Sequence, residues 1–242
     1  AQVAIYRGQL RHAIDILERG LDRDRRDGAS GSAKAHKVVR LIEALAVADR
    51  WKECVERVRA FESGVAPNDP TGAVRDWLAA LAAQLFSDGG RVEQLDSIVV
   101  AYRALQSEYT MADSINAHGV LAAAAMARGA YAAAIAHYVA RAGDRLEFSS
   151  LYRLGLAHAA SDRQRDAIRY YEQALDAYDQ SRWDQPIEST LLHYHLGRAY
   201  ERSGQPDKAV QQYERVTSIW SDADTELPEL VDARSRLAAL GA

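Results

Sequence analysis

The sequence predicts an all-α fold, a right-handed α-solenoid of about six helical hairpins closed by a C-terminal capping helix. Three observations lead there. Ala is abundant and strand formers are few, so local propensity favours helix throughout. Helical patterning breaks at Gly8, Asp49, Gly90, Gly129, Asp162 and Gly204, with spacings of 41, 41, 39, 33 and 42 residues. The same offsets around each break also carry the same kind of residue. Five residues past it stand Ala13, Cys54, Leu95, Ala134, Ala167 and Ala209. Nine past it stand Leu17, Val58, Val99, Tyr138, Tyr171 and Tyr213. Seven before it stand Ala1, Ile42, Ala83, Ala122, Gly155 and Gly197. Fixed small and large positions around a recurring break mark a repeated helix–turn–helix unit.

Taken in order, the units are expected at about 1–30, 33–65, 70–108, 111–144, 147–183 and 186–221, forming one superhelical domain over 1–242. The first is entered halfway through its first helix, which suggests a piece cut from a longer protein with that end uncapped. The Gly/Ser-containing stretch 23–35 and the segment 63–72, with two prolines and two glycines, read as loops. The insert YDQSRWDQPIE (178–188) reads as the lengthened end of a helix before a turn at Pro186. In the last unit Gly204 ends the first helix, where positive φ costs glycine least, and Pro206 opens the second, where it forfeits no hydrogen bond. Beyond it, Pro228 suits a helix start. Leu230, Ala233, Leu237 and Leu240 form a stripe, with Arg234 and Arg236 outside it, as in a helix (226–240) covering the last repeat. Within each hairpin the small residue after the break allows close helix crossing, and Tyr171 and Tyr213 are expected to fill the gap to the following unit.

Leu196-Gly197, Tyr200, Gly204, Ala209 and Tyr213 in the last unit resemble the tetratricopeptide repeat family. So do Leu154-Gly155, Ala167, Tyr171 and Ala174 in the fifth, and Gly129, Tyr131, Ala134 and Tyr138 in the fourth. The first three units are degenerate, and only one spacing lies near the family's period of about 34 residues. The tail is also similar to the C-terminal ends of bacterial multidomain signalling proteins that carry such repeats. The resemblance implies that the first helix of each unit lines a concave groove along which a partner peptide lies. Mapped onto this chain, the inward face is His36, Arg40 and Glu43 in the second unit, Trp77 and Gln84 in the third and Asn116 in the fourth. Tyr152 and Leu156 represent the fifth unit, and Tyr194 and Arg198 the sixth. The paired-Asn clamp with which some family members grip carboxyl termini is missing, since the chain has only Asn68 and Asn116.

Composition excludes more than it assigns. The 242 residues carry a net charge of −4, without the basic excess that nucleic-acid binding needs, and no membrane partner is expected. Only four of the 30 basic residues are Lys, a usage that fits a GC-rich bacterial genome. A single cysteine, Cys54, allows no internal disulfide and falls in the close-crossing slot, where it is expected buried and inert. No signal peptide is visible, and the expected compartment is the cytoplasm. The seven histidines show no zinc-ligand spacing, with His193 and His195 diverging by about 200° around one helix. His158 takes the slot of Tyr200, and Ser149 or Glu147 opens a helix rather than a nucleophile site. No catalytic residue, metal or cofactor is therefore expected. The expected function is a non-enzymatic protein-interaction module binding a peptide or partner domain in its groove. The alternative is a regulatory or sensor arm of a larger signalling enzyme or transcription regulator, binding intramolecularly. Homo-oligomerisation through the Ala-rich fourth unit is a less favoured third.

Overall fold

The computed structural model describes residues 1–28, 32–65, 73–109, 115–224 and 226–241. Among these there are fourteen helices and no strand. They are α1 (Gln2–Tyr6), α2 (Leu10–Arg26), α3 (Ser32–Val47), α4 (Trp51–Val65), α5 (Ala73–Asp88), α6 (Val92–Tyr109) and α7 (Ile115–Ala127). Then follow α8 (Tyr131–Ala142), α9 (Phe148–Ala160), α10 (Gln164–Asp176), α11 (Gln180–Trp183), α12 (Pro186–Arg202), α13 (Pro206–Ile219) and α14 (Pro228–Leu240). They form two compact units, one of 1–57 with 178–242 and one of 58–177. Residues 66–72 of the expected proline loop, with Asn68, and 29–31 of the expected Gly/Ser loop lie outside the described residues.

All six sequence breaks are helix ends of one kind. Gly8, Asp49, Gly90, Gly129, Asp162 and Gly204 all have positive φ, between 57° and 72°. At each, the break residue's N–H donates to the carbonyl three residues back, and the next N–H donates to the carbonyl five back, as Gly204 to Glu201 at 3.0 Å and Gln205 to Tyr200 at 2.9 Å. This paired closure satisfies carbonyls that a helix end leaves open, and it needs a left-handed residue. Asp49 and Asp162 are the described non-glycine residues held there. Asp162→Gly is therefore expected to stabilise the protein by about 0.5–1 kcal/mol, the left-handed cost less the extra entropy glycine loses. A rise of roughly 1–4 °C in thermal midpoint would register it.

The small position after each break is fully buried in all six hairpins, including Cys54, whose thiol burial pushes up to about 11. The large position nine past the break is buried in all six as well. The rings of Tyr171 and Tyr213 each lie on the glycine of their own hairpin. A Cβ on Gly155 would stand 2.3 Å from Tyr171 Cε1, and one on Gly197 2.7 Å from Tyr213 Cε1. In the last two hairpins glycine thus makes room for the buried tyrosine ring.

Two further expectations change. The insert 178–188 does not lengthen α10, which ends at Asp176; it makes the separate helix α11, whose first turn the Asp179 carboxylate caps by accepting from Arg182 N at 3.3 Å. Pro186 is not a turn but the first residue of α12, where its missing N–H costs nothing. The first hairpin is also not open. α1 packs on α12, Trp220 Nε1 donates to the Tyr6 carbonyl at 3.0 Å, and Asp224 accepts from the backbone of Arg11 and His12. α14 covers α13 as expected of a cap, with Leu230 and Ala233 buried beneath it. Arg236, outside the apolar stripe, reaches Glu201 at 2.9 Å and Asp232 at 2.6 Å.

Candidate functional site

The first helices of the hairpins carry side chains beyond those their own pairing consumes, and the structure sorts the expected groove residues by what they touch. In the unit of residues 58–177, Gln84 is buried. Its Nε2 donates to Asp88 at 3.0 Å and its Oε1 accepts from the Tyr138 hydroxyl at 3.2 Å. Asp88 also receives Arg153 Nη1 at 2.6 Å, and that guanidinium stacks over the Tyr152 ring. The chain Tyr138–Gln84–Asp88–Arg153 thus ties α8, α5 and α9 together. Burial, first of all, raises the Tyr138 hydroxyl to about 12, so it stays a donor at any physiological pH. Asn116 donates to Asp76 at 2.6 Å, and Tyr102 donates to the same carboxyl.

In the unit of 1–57 with 178–242, Tyr194 is buried and its hydroxyl donates to Asp232 at 2.8 Å. The Arg198 guanidinium sits 5.8 Å from that ring's centroid and donates to its hydroxyl at 3.3 Å. Arg40 donates to Glu43 at 2.7 Å and to the Asp184 carbonyl. Among the expected groove residues, Tyr152, Tyr194 and Gln84 are buried against neighbouring helices. Arg40 and Glu43 are largely committed to each other. His36 is exposed, Trp77 is 37 % exposed, and Asn116, Leu156 and Arg198 are half-buried.

Glu43 carries the clearest electrostatic signature. Burial, aided by the carboxylates of Glu188 and Asp184, outweighs the Arg40 guanidinium and pushes it up to about 8. Between the ordinary carboxyl value and about pH 8 the folded chain holds a proton that the unfolded chain has released. Its stabilising contribution is thus complete at low pH and is lost as pH rises through about 8. Urea midpoints measured from pH 5 to 9 are expected to fall more steeply for the natural chain than for Glu43→Gln, which matches it near pH 5 and exceeds it at pH 9.

Sequence reasoning missed an aromatic corner. Tyr178, just before the short α11, and Trp183, its last residue, are 86 % and 75 % exposed, and the Arg182 guanidinium lies 5.1 Å from the Tyr178 centroid. On the neighbouring α1, Val3 and Tyr6 are exposed too, and Gln2 Nε2 donates to the Trp183 carbonyl at 3.4 Å. The signal was present in the insert, which departs from the repeat and yet keeps two large aromatics. Among the described residues no cluster of three or more metal-ligating side chains occurs, and no helix is long and apolar enough to cross a membrane.

Comparison with known proteins identifies two of the hairpins. The tetratricopeptide repeat model matches residues 149–181 and again 192–219, the fifth and sixth hairpins. Two curated relatives, each named Photosystem I assembly protein Ycf3, come from Synechococcus elongatus and from another Synechococcus strain. Each is 28 % identical over 123 residues, covering 48 % of this chain and 70 % of the relative. Among solved structures, BtubC (BKLC) from P. vanneervenii aligns over 90 % of this chain and 94 % of its own at 17 % identity, with a TM-score of 0.46. With two of its six hairpins matched in sequence and all six breaks alike in geometry, the chain carries tetratricopeptide repeats in its fifth and sixth hairpins.

Proposed function

We propose that this chain is a non-enzymatic scaffold that binds other proteins through preorganised helical hairpins. One observation carries the reading: large side chains stand exposed on elements that are otherwise fixed. Tyr178 and Trp183 stand exposed at a capped helix, Trp77 is exposed on α5, and Leu156 and Arg198 are half-buried on α9 and α12. Exposed Trp, Tyr and Arg on a rigid support are the side chains that dominate protein interfaces, and little ordering cost then falls on the scaffold. The assembly role named for the two relatives supports the same direction. The partner is a protein or peptide, met on the aromatic corner or on the first-helix residues of one unit, His36 and Arg198 in one, Trp77, Asn116 and Leu156 in the other.

Immobilised protein exposed to a lysate of its source cells is expected to retain a discrete set of proteins. Tyr178→Ala with Trp183→Ala should reduce that retention by roughly tenfold or more, with the melting temperature unchanged. A loss confined instead to Trp77→Ala with Arg198→Ala would put the contact on the first helices. Retention indifferent to both pairs would refute the reading.

A further inference from the structure

The fourth hairpin holds an arginine whose charge its surroundings leave unanswered. Arg141, in the last turn of α8, does not extend into solvent; it is half-buried and lies over α7. A Cβ on the buried Gly119 would stand 3.2 Å from its Nη1 and 3.6 Å from its Cζ, with Ala80 Cβ of α5 at 3.5 Å. Gly119 thus opens the seat in which the guanidinium rests. Among the described residues no carboxylate or carbonyl accepts from it. Other arginines of the same unit have acids close by: Arg153 reaches Asp88 at 2.6 Å, and Arg163 and Arg169 share Asp166 at 2.8 and 3.3 Å. Acceptors on α5, α7 and α8 are already engaged. Asp88 takes Arg153 and Gln84, Asp76 takes Asn116 and Tyr102, and the imidazoles of His118 and His137 meet each other at 3.1 Å. Burial first, and then the Arg153 guanidinium, hold Arg141 below its ordinary value, yet an arginine stays protonated at physiological pH. A partly desolvated cation without a partner is costly to fold around.

We propose that Arg141 is the seat for a carboxylate carried by an acidic residue of the protein partner, an inference that rests on the scaffold reading above. Charge decides the class of ligand. The guanidinium groups of Arg141 and Arg153 stand against one carboxylate, Asp88, which leaves a single positive charge. A carboxylate matches that charge, whereas a dianionic phosphate exceeds it. The planar guanidinium fork also fits a carboxylate through two parallel N–H···O bonds. Part of the side chain stays open to solvent, so the anion reaches it without the helices separating. Arg141 stands on the second helix of its hairpin, so this contact is additional to the first-helix residues Trp77, Asn116 and Leu156 of the same unit. The free chain holds a lone charge at the expense of stability, and the partner's carboxylate relieves it on binding.

The test titrates the full chain with a labelled, capped triglutamate peptide, with capped triglutamine as its uncharged counterpart. Binding is expected for triglutamate only, and Arg141→Met should weaken it at least about tenfold. Arg145→Met, at an exposed arginine nearby, should leave it unchanged. Arg141→Met should also raise the thermal midpoint by roughly 2–4 °C, because it removes a lone charge from a half-buried place; a purely structural arginine would lower it. Gly119→Ala keeps the charge but fills its seat, and should weaken binding severalfold while the helix gains from Ala. The inference is overturned if triglutamate does not bind, if it binds Arg141→Met as tightly as the natural chain, or if inorganic phosphate displaces it more effectively than acetate at equal ionic strength. Retention of lysate proteins that persists in Arg141→Met, alongside unchanged triglutamate binding, sinks the carboxylate seat alone. Retention that ignores both the Tyr178–Trp183 and the Trp77–Arg198 pairs sinks the scaffold reading instead.

Discussion

Gly155→Ala is expected to destabilise the protein by about 2 kcal/mol, although it replaces a glycine in the middle of α9 with the best helix former. Propensity alone would give a gain of about 1 kcal/mol. Against it stands the ring of Tyr171, with Cε1 at 2.3 Å and Cδ1 at 2.5 Å from the position of the new methyl group. Those separations lie far inside van der Waals contact. Tyr171 is fully buried and lies against the Tyr152 ring, with centroids 6.4 Å apart, so it has little room to slide away. Overpacking of this kind costs about 1–3 kcal/mol, occasionally more, and here it exceeds the propensity gain. At this chain length the melting temperature should drop by roughly 4–8 °C. The sign decides between the two effects, since a ring free to move would let Ala stabilise the helix. Gly197→Ala should follow the same course more mildly, because its nearest ring atom is at 2.7 Å. Tyr171→Leu should recover part of the loss when combined with Gly155→Ala, a positive coupling that a purely local helix effect would not produce.

This glycine–tyrosine pairing shows what the sequence makes legible. Break residues, small crossing residues and large packing residues recur because each answers a local steric demand, and a local demand leaves a fixed offset in the chain. All six breaks were therefore readable, with Asp49 and Asp162 standing where glycine serves elsewhere. That the rings of Tyr171 and Tyr213 press on the glycines of their own hairpins was not readable. Nor was the fate of Tyr152, Tyr194 and Gln84. A helical wheel gives the face on which a residue lies, while its exposure depends on how much of that face another element covers. The ion pairs of Arg153 with Asp88 and of Arg236 with Glu201 join residues 65 and 35 positions apart, separations that no pattern rule covers.

Gly8→Val is expected to be at least as damaging as Gly155→Ala, at about 3 kcal/mol, for a reason that involves both ends of the chain. Gly8 has φ of +72°, which a β-branched residue adopts only at a cost. Its Cβ would also meet Ala223 Cβ at 3.0 Å, Leu227 Cδ1 at 3.1 Å and Trp220 Cδ1 at 3.2 Å, with Trp220 and Leu227 both buried. Backbone strain and crowding therefore act together, and neither is relieved by moving the other. The same junction has a polar half. Gln9 offers no side-chain cap to α2, and the Asp224 carboxylate does so from the far end of the sequence, accepting from Arg11 N at 3.1 Å and His12 N at 2.9 Å. Asp224 N donates in return to the Gly8 carbonyl at 3.3 Å. Asp224→Ala removes the cap without strain and should cost about 1–2 kcal/mol. Hydrogen exchange separates a local defect from a shared one. If the first hairpin and the last repeats open as one cooperative unit, Asp224→Ala should deprotect the first turn of α2 and also the indole N–H of Trp220, which donates to Tyr6. Loss of protection confined to Arg11 and His12 would mean that apolar packing of Trp220 and Leu227 around Gly8 holds the junction without the carboxylate. Gly8→Val, which disturbs that packing, should then be the only one of the two substitutions to expose the indole.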